Sequence, residues 1–329
     1  MRSHVISSRL LSSFVLSLLL LLTACGQSFP PTSSSPTSTP PVILDAYDTP
    51  IIFPETPPQR IVSLVPSMSE ILGALHLQNR VVAVDYNTSY PPDLTALPKV
   101  SDVNGKYNVE QIVALKPDLV LSYGEETKEY DVQLMNLGLH VVALPAVNFT
   151  QTLQQIVLVG RLTFTQDVAT KLVNRLQQQI NAIKAAVAGT TAPKVLLEVD
   201  DTTAGKPYVF GGGSFGDELL QDAKAINIFH DDTSGQGYPQ VTDEAIISAN
   251  PQFVILTEIP QYGGDVHAVY KRPNWNNINA LKKHHVYRVS ASITQRPGPR
   301  LVEGLRCIAQ IIHPQKFSGP LPGYCSGTV

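Results

Sequence analysis

The chain has 329 residues, 24 basic and 27 acidic, with a formal charge of −3 and a mean hydropathy of +0.03. At about 150 residues per domain, this length suits two domains or one two-lobed unit. With 43% hydrophobic and 16% charged residues it is neither a disordered chain nor a polytopic membrane protein, and without basic runs it has no electrostatic footprint for nucleic acid. Three cysteines, Cys25, Cys307 and Cys325, are too few for a disulfide scaffold or a four-cysteine zinc module.

Arg2 and Arg9 precede a leucine-rich, charge-free stretch from Leu10 to Ala24, the layout of an export signal over residues 1–24. The stretch is shorter than the roughly 20 residues that span a bilayer. It ends in Leu22-Thr23-Ala24-Cys25-Gly26, which resembles the lipobox of bacterial lipoproteins and implies lipidation of Cys25. Two acyl chains there would anchor the protein stably, since each buried methylene contributes about 0.8 kcal/mol. Residues 25–58 are rich in Pro, Ser and Thr and show no periodicity; they read as a tether that holds a folded domain off a membrane.

Residues 60–64, 81–84, 119–122 and 140–144 are short β-branched runs bounded by turn residues, and they read as buried strands. Helical patterns at 67–75, 109–115 and 129–137 alternate with them, which implies a parallel α/β sheet. A second set follows, with strands at 194–199, 253–256 and 286–289 and a helix at 299–312. Between the two sets, apolar residues recur at helical spacing over 149–188, and the part from Gln166 to Val187 alone would span about 33 Å. The expected architecture is two similar α/β lobes with parallel sheets, 59–148 and 194–314, within a domain ending near 320. One long helix joins them, with a cleft between.

Catalytic and metal motifs are missing: there is no HExxH, Walker loop, nucleophile elbow or calcium loop. Gly211-Gly212-Gly213 before Ser214 fits either a tight turn or close approach of backbone to a ligand. His284 and His285 are adjacent and point apart, and Asp200-Asp201 reads as turn chemistry. Ser67 and Glu70 have the spacing of a capping box, with helix-terminal N–H groups turned toward the cleft.

Residues 59–314 resemble a class III substrate-binding protein of an ABC importer, from the Fe/cobalamin periplasmic binding protein family. The resemblance is carried by residues 58–67 (PQRIVSLVPS) with Glu70, Tyr90-Pro91-Pro92, Leu97-Pro98-Lys99-Val100 and residues 110–121 (EQIVALKPDLVL). Asn274-Trp275-Asn276, Val286-Tyr287 and residues 296–302 (RPGPRLV) complete it. Tyr-Pro-Pro and Arg-Pro-Gly-Pro-Arg look most like the cobalamin-binding branch.

The resemblance implies two Rossmann-like lobes with a ligand cleft between them, in a non-enzymatic monomer without a cofactor or resident metal. It would bind cobalamin or another corrinoid and deliver it to a permease and ATPase complex at the outer face of the cytoplasmic membrane, in the periplasm where an outer membrane exists. It implies ligand contacts from Ser67, Tyr86, Asn87, Tyr123, Tyr208, Thr294, Gln295 and Arg296, aromatic faces covering the corrin. A guanidinium at Arg296 also suits the carboxylates of a ferric siderophore or haem. Permease docking falls near Glu129, with Glu126 as competitor, and on Glu218 or Asp217 in the second lobe. In an exported protein Cys307 and Cys325 are candidates for a disulfide. An exported α/β hydrolase is the alternative of another class.

Overall fold

The computed structural model describes residues 42–259 and 262–326. The expected signal, Cys25 and residues 25–41 of the expected tether lie outside them. The N-terminal sheet has four parallel strands, β1 (Ile61–Ser63), β2 (Val81–Val84), β3 (Leu119–Ser122) and β4 (Val141–Ala143), ordered β2-β1-β3-β4. Its helices are α1 (Pro66–Ala74), α2 (Val109–Ala114) and α3 (Lys128–Asn136). Alternate strand residues feed two cores: Ile61, Leu119 and Leu121 on one face, Val62 and Val120 on the other. Helices and loops therefore cover both faces, and that is why the strands read as unbroken apolar runs.

The segment 149–188 is two helices rather than the single one expected. α4 (Phe149–Leu162) stops at Thr163, whose hydroxyl bonds back to the Val159 carbonyl, and Phe164 takes a left-handed φ of 60°. α5 (Gln166–Val187) then starts afresh and buries one stripe, Ala169, Leu172, Leu176, Ile180, Ile183 and Val187. A Cβ on Gly160 would lie 2.5 Å from that of Ala169, so only glycine lets the two helices pack this closely.

The C-terminal sheet runs β6 (Tyr208–Val209), β5 (Lys194–Asp200), β8 (Phe253–Leu256), β9 (Val286–Arg288), with β7 (Ile226–Asn227) also on β5. Every pairing is parallel except β5 with β6. Helices α6 (Phe215–Asp222), α7 (Asp243–Ala249) and α8 (Leu301–Ile312) complete the lobe. One apolar cluster runs unbroken from Ile61 and Met68 through α4 and α5 to Leu305 and Ile308 on α8. The lobes thus share a core. Cys307 and Cys325 are bonded, with Cα atoms 5.5 Å apart.

The boundary of the tether moves. Residues 42–58, expected to be spacer, lie on the N-terminal lobe: Ile51 and Phe53 pack against the large core, and Arg161 sits 4.0 Å over the Phe53 ring. Composition does not reveal this, because much of the attachment is through main chain and one tyrosine.

Candidate ligand-binding cleft

A cavity of about 550 Å³ opens between the lobes. The N-terminal wall is built by the β1–α1 turn (Val65, Pro66, Ser67), the loop after β3 (Tyr123, Glu125) and the loop after β4 (Pro145, Val147). The opposite wall comes from Gly213, Ser214 and Phe215 at the start of α6, from Gln236 and Tyr238, and from Gln295, Arg296 and Pro297 before α8. In doubly wound sheets such a crevice lies outside the carboxyl ends of the strands, and its size is ordinary for a small-molecule site.

Local chemistry fixes each wall. Tyr123 donates its hydroxyl to the Ala146 carbonyl at 2.7 Å, which holds its ring at the rim. Ser214 caps α6: its Oγ accepts from the Asp217 amide at 3.2 Å and donates to the Gly211 carbonyl at 2.7 Å. Gly211 and Gly212 run tight against the 230–232 chain, where a Cβ on either would meet the carbonyl oxygen of Asp232 or His230 at about 2 Å. Gln295 donates to the Thr257 carbonyl at 2.8 Å. Tyr238 leans on Phe210, ring centroids 5.3 Å apart.

Arg296 ties the lobes together. It donates to Ser89 Oγ (2.9 Å) and the Asn87 carbonyl (3.2 Å), and lies 3.6 Å from Glu70. Glu70, only 2% exposed, also accepts from Arg300 Nε at 3.0 Å and Nη2 at 2.6 Å, while Arg300 stacks 4.3 Å over Tyr90. Burial pulls the Arg296 guanidinium below its ordinary range, and Glu70 opposes this. The capping box is therefore not made. Val65 is the N-cap of α1 without a side-chain bond, Pro66 starts the helix, and Glu70 faces two arginines of the other lobe.

Of the residues expected at the ligand, Ser67, Tyr123, Gln295 and Arg296 line the cavity, and four do not. Tyr86 is 49% exposed beyond the rim and Asn87 contributes only its carbonyl, to Arg296. Tyr208 sits on edge strand β6, and Thr294 is fully buried with its hydroxyl on the Ser290 carbonyl. Sequence reasoning missed Phe215, Gln236 and Tyr238. Gly235-Gln236-Gly237, all with positive φ, was the available signal for the last two.

Both second-lobe docking candidates are engaged within the protein. Glu218 accepts from the Phe149 amide at 2.6 Å, capping α4, and burial raises its carboxyl. Asp217 is 2% exposed and holds Asn227, Gln221 and His230. Glu129 is exposed on the first turn of α3. No group of three or more metal-ligating side chains occurs among the described residues, nor any helix long and apolar enough to cross a membrane.

The family described as periplasmic binding protein matches residues 61–292. The chain is 33% identical over 284 residues to an uncharacterized ABC transporter substrate-binding lipoprotein of Bacillus subtilis, covering 84% of this chain and 87% of that one. It is 25% identical over 256 residues to the vitamin B12-binding protein of Vibrio cholerae, covering 76% and 87%. Among solved structures, a possible iron-binding (periplasmic solute-binding) protein from Staphylococcus epidermidis superposes with a TM-score of 0.68 at 28% identity, covering 78% of this chain and 100% of that one. The hydrolase alternative falls on these matches. With its two lobes and the cleft between them, the chain belongs to the periplasmic binding protein family, whose members bind solutes and are not enzymes.

Proposed function

We propose that this chain is the lipid-anchored binding protein of an ABC importer and that its cargo is a corrinoid held between the lobes. The observation that carries the reading is the 550 Å³ cleft, whose walls combine aromatic faces (Tyr123, Phe215, Tyr238) with side-chain amides (Gln236, Gln295). Aromatic rings cover a macrocycle through apolar and stacking contacts, and amides match the carboxamide arms of a corrinoid. Arg296 already donates to Ser89 and Asn87, and Glu70 at 3.6 Å offsets its charge, so a neutral guest suits the cleft better than a carboxylate-rich siderophore or haem. The vitamin B12-binding relative supports the same choice.

Calorimetry of residues 26–329 with cyanocobalamin tests the cargo: saturable heat is expected, and no binding at millimolar concentration refutes the corrinoid. A Soret shift on titration with haemin, lost in Tyr123→Phe or Tyr238→Phe, would instead assign haem. Diacylated Cys25 would hold the monomer at the outer face of the cytoplasmic membrane, so Cys25→Ala is expected to release it in soluble form. Glu129 is the docking residue we propose for the permease and ATPase complex. Glu129→Ala is expected to lower uptake while leaving ligand affinity unchanged.

A further inference from the structure

Residues 43–53 form a strap that closes on itself and then reaches behind the cleft. The Asp45 carboxylate accepts from the Tyr47 and Thr49 amides at 2.8 and 3.0 Å, and the Ile51 amide bonds the Ile43 carbonyl at 2.8 Å, so Tyr47 projects from a rigid tip. The Ala46 amide joins the edge of β4 through the Ala143 carbonyl at 2.9 Å. The Tyr47 hydroxyl then donates to Asp131 Oδ2 at 2.6 Å and lies 3.0 Å from the Gly124 carbonyl. Asp131 is fully buried, and the same oxygen accepts from Ser122 (2.5 Å) and Thr127 (2.8 Å). Gly124, at φ 117°, is in contact with the strap as well: a Cβ there would meet that of Ala46 at 2.7 Å.

The residues on either side of Gly124 are Tyr123 and Glu125, both in the cleft wall. We propose that Tyr47 is a positioning residue for the ligand site: through Asp131 and Gly124 the strap sets where Tyr123 and Glu125 stand. The N-terminal segment that enters the fold is thereby part of the binding apparatus and more than a leash. The inference rests on reading the inter-lobe cleft as the ligand site.

The test uses Tyr47→Phe, which removes one hydroxyl, in the otherwise intact chain. Ile52→Ser, whose side chain is exposed on the same strap, and the Cys307→Ser/Cys325→Ser pair, destabilised far from the loop, are controls. Amide hydrogen exchange in the free protein is expected to quicken at residues 122–127 in Tyr47→Phe and to stay unchanged there in both controls. At a temperature where every variant is fully folded, Tyr47→Phe is expected to bind cyanocobalamin, or haemin where that is the probe bound, about fivefold more weakly, the low end of site-to-site coupling. Unchanged exchange at 122–127 overturns the inference whatever the ligand. Unchanged affinity overturns it too if Tyr123→Ala weakens binding, and an equal loss in the disulfide variant overturns it as general destabilisation. Quickened exchange beside a Tyr123→Ala variant that binds normally sustains the strap's hold on the loop and refutes the cleft as ligand site.

Discussion

Removing Glu70 is the most demanding test of how the two lobes are held. Its carboxylate is 2% exposed, accepts two bonds from Arg300 and lies 3.6 Å from Arg296, both from the opposite lobe. Glu70→Ala leaves two largely buried guanidiniums facing a void. Breaking a buried pair from one side costs about 3–5 kcal/mol, since the stranded charge has lost its partner. Arg296 retains Ser89 and Asn87, and Arg300 retains the Tyr90 face, so we expect about 3 kcal/mol. At about 2–4 °C per kcal/mol for a domain of this size, Tm falls by about 10 °C. Adding Arg300→Met removes the stranded cation, and the double variant is expected to be more stable than Glu70→Ala alone. Calorimetric scans of wild type, both single variants and the double variant measure the coupling. A loss below about 1 kcal/mol in Glu70→Ala, or strict additivity in the cycle, refutes the clasp.

The remaining predictions concern the second lobe. Reducing the loop constraint with Cys307→Ser/Cys325→Ser is expected to cost about 3 kcal/mol for a closure spanning 18 positions, read as a lower urea midpoint; an unchanged midpoint counts against it. Burial, and secondly the neighbouring Glu198, pushes the Glu258 carboxyl up to about 10 from 4.5. The folded state thus holds this proton more tightly than the unfolded chain, and the resulting stabilisation erodes as pH rises from about 4.5 toward 10. Glu258→Gln, which stays neutral, is expected to flatten that slope, gaining on wild type at pH 9 relative to pH 5; a parallel pH profile refutes the assignment. Gly304→Ala would place a Cβ 2.1 Å from the Ile293 carbonyl oxygen, and overpacking of about 1–3 kcal/mol is expected in unfolding experiments.

β1 to β5, β8 and β9, with α1 to α3 and α8, are legible in the sequence to within two residues, because a sheet covered on both faces demands continuous apolar runs such as residues 119–122, whereas the two-residue strands β6 and β7 are too short to leave such a run. The break at Thr163 is not, since 149–188 keeps its apolar spacing through it and only Phe164 adopting a positive φ marks the stop. Glu70 misleads for a related reason: at three residues from Ser67 it satisfies a local rule, yet its partner lies 230 positions away. Half of the expected cleft residues line the cavity: Ser67 in the first turn of α1, Tyr123 after β3, and Gln295 and Arg296 before α8. Phe215 and Tyr238 were missed: Phe215 reaches the cleft through the packing of α6, and Tyr238 follows the Gly235–Gly237 turn, whose glycines were the local signal left unread.

Rigidity in this fold has two sources with different consequences for transport. The apolar cluster shared by α1, α4, α5 and α8 resists any relative motion of the lobes, since sliding would open voids in a packed interior. The Glu70–Arg300–Arg296 clasp resists mainly separation, and it does so beside the cleft, because Arg296 is itself a wall residue. If the cleft is the ligand site, as we propose, a guest would meet walls that move little on binding. Selectivity must then come from the shape and polarity of the walls rather than from the energy of closing around the correct ligand. On the same proposal the clasp would oppose release: spreading the walls exposes two arginines and a glutamate that are paired while the lobes stay together. A transporter that forces the lobes apart must supply new partners for those charges, or act by displacing the ligand from one wall while the clasp stays shut.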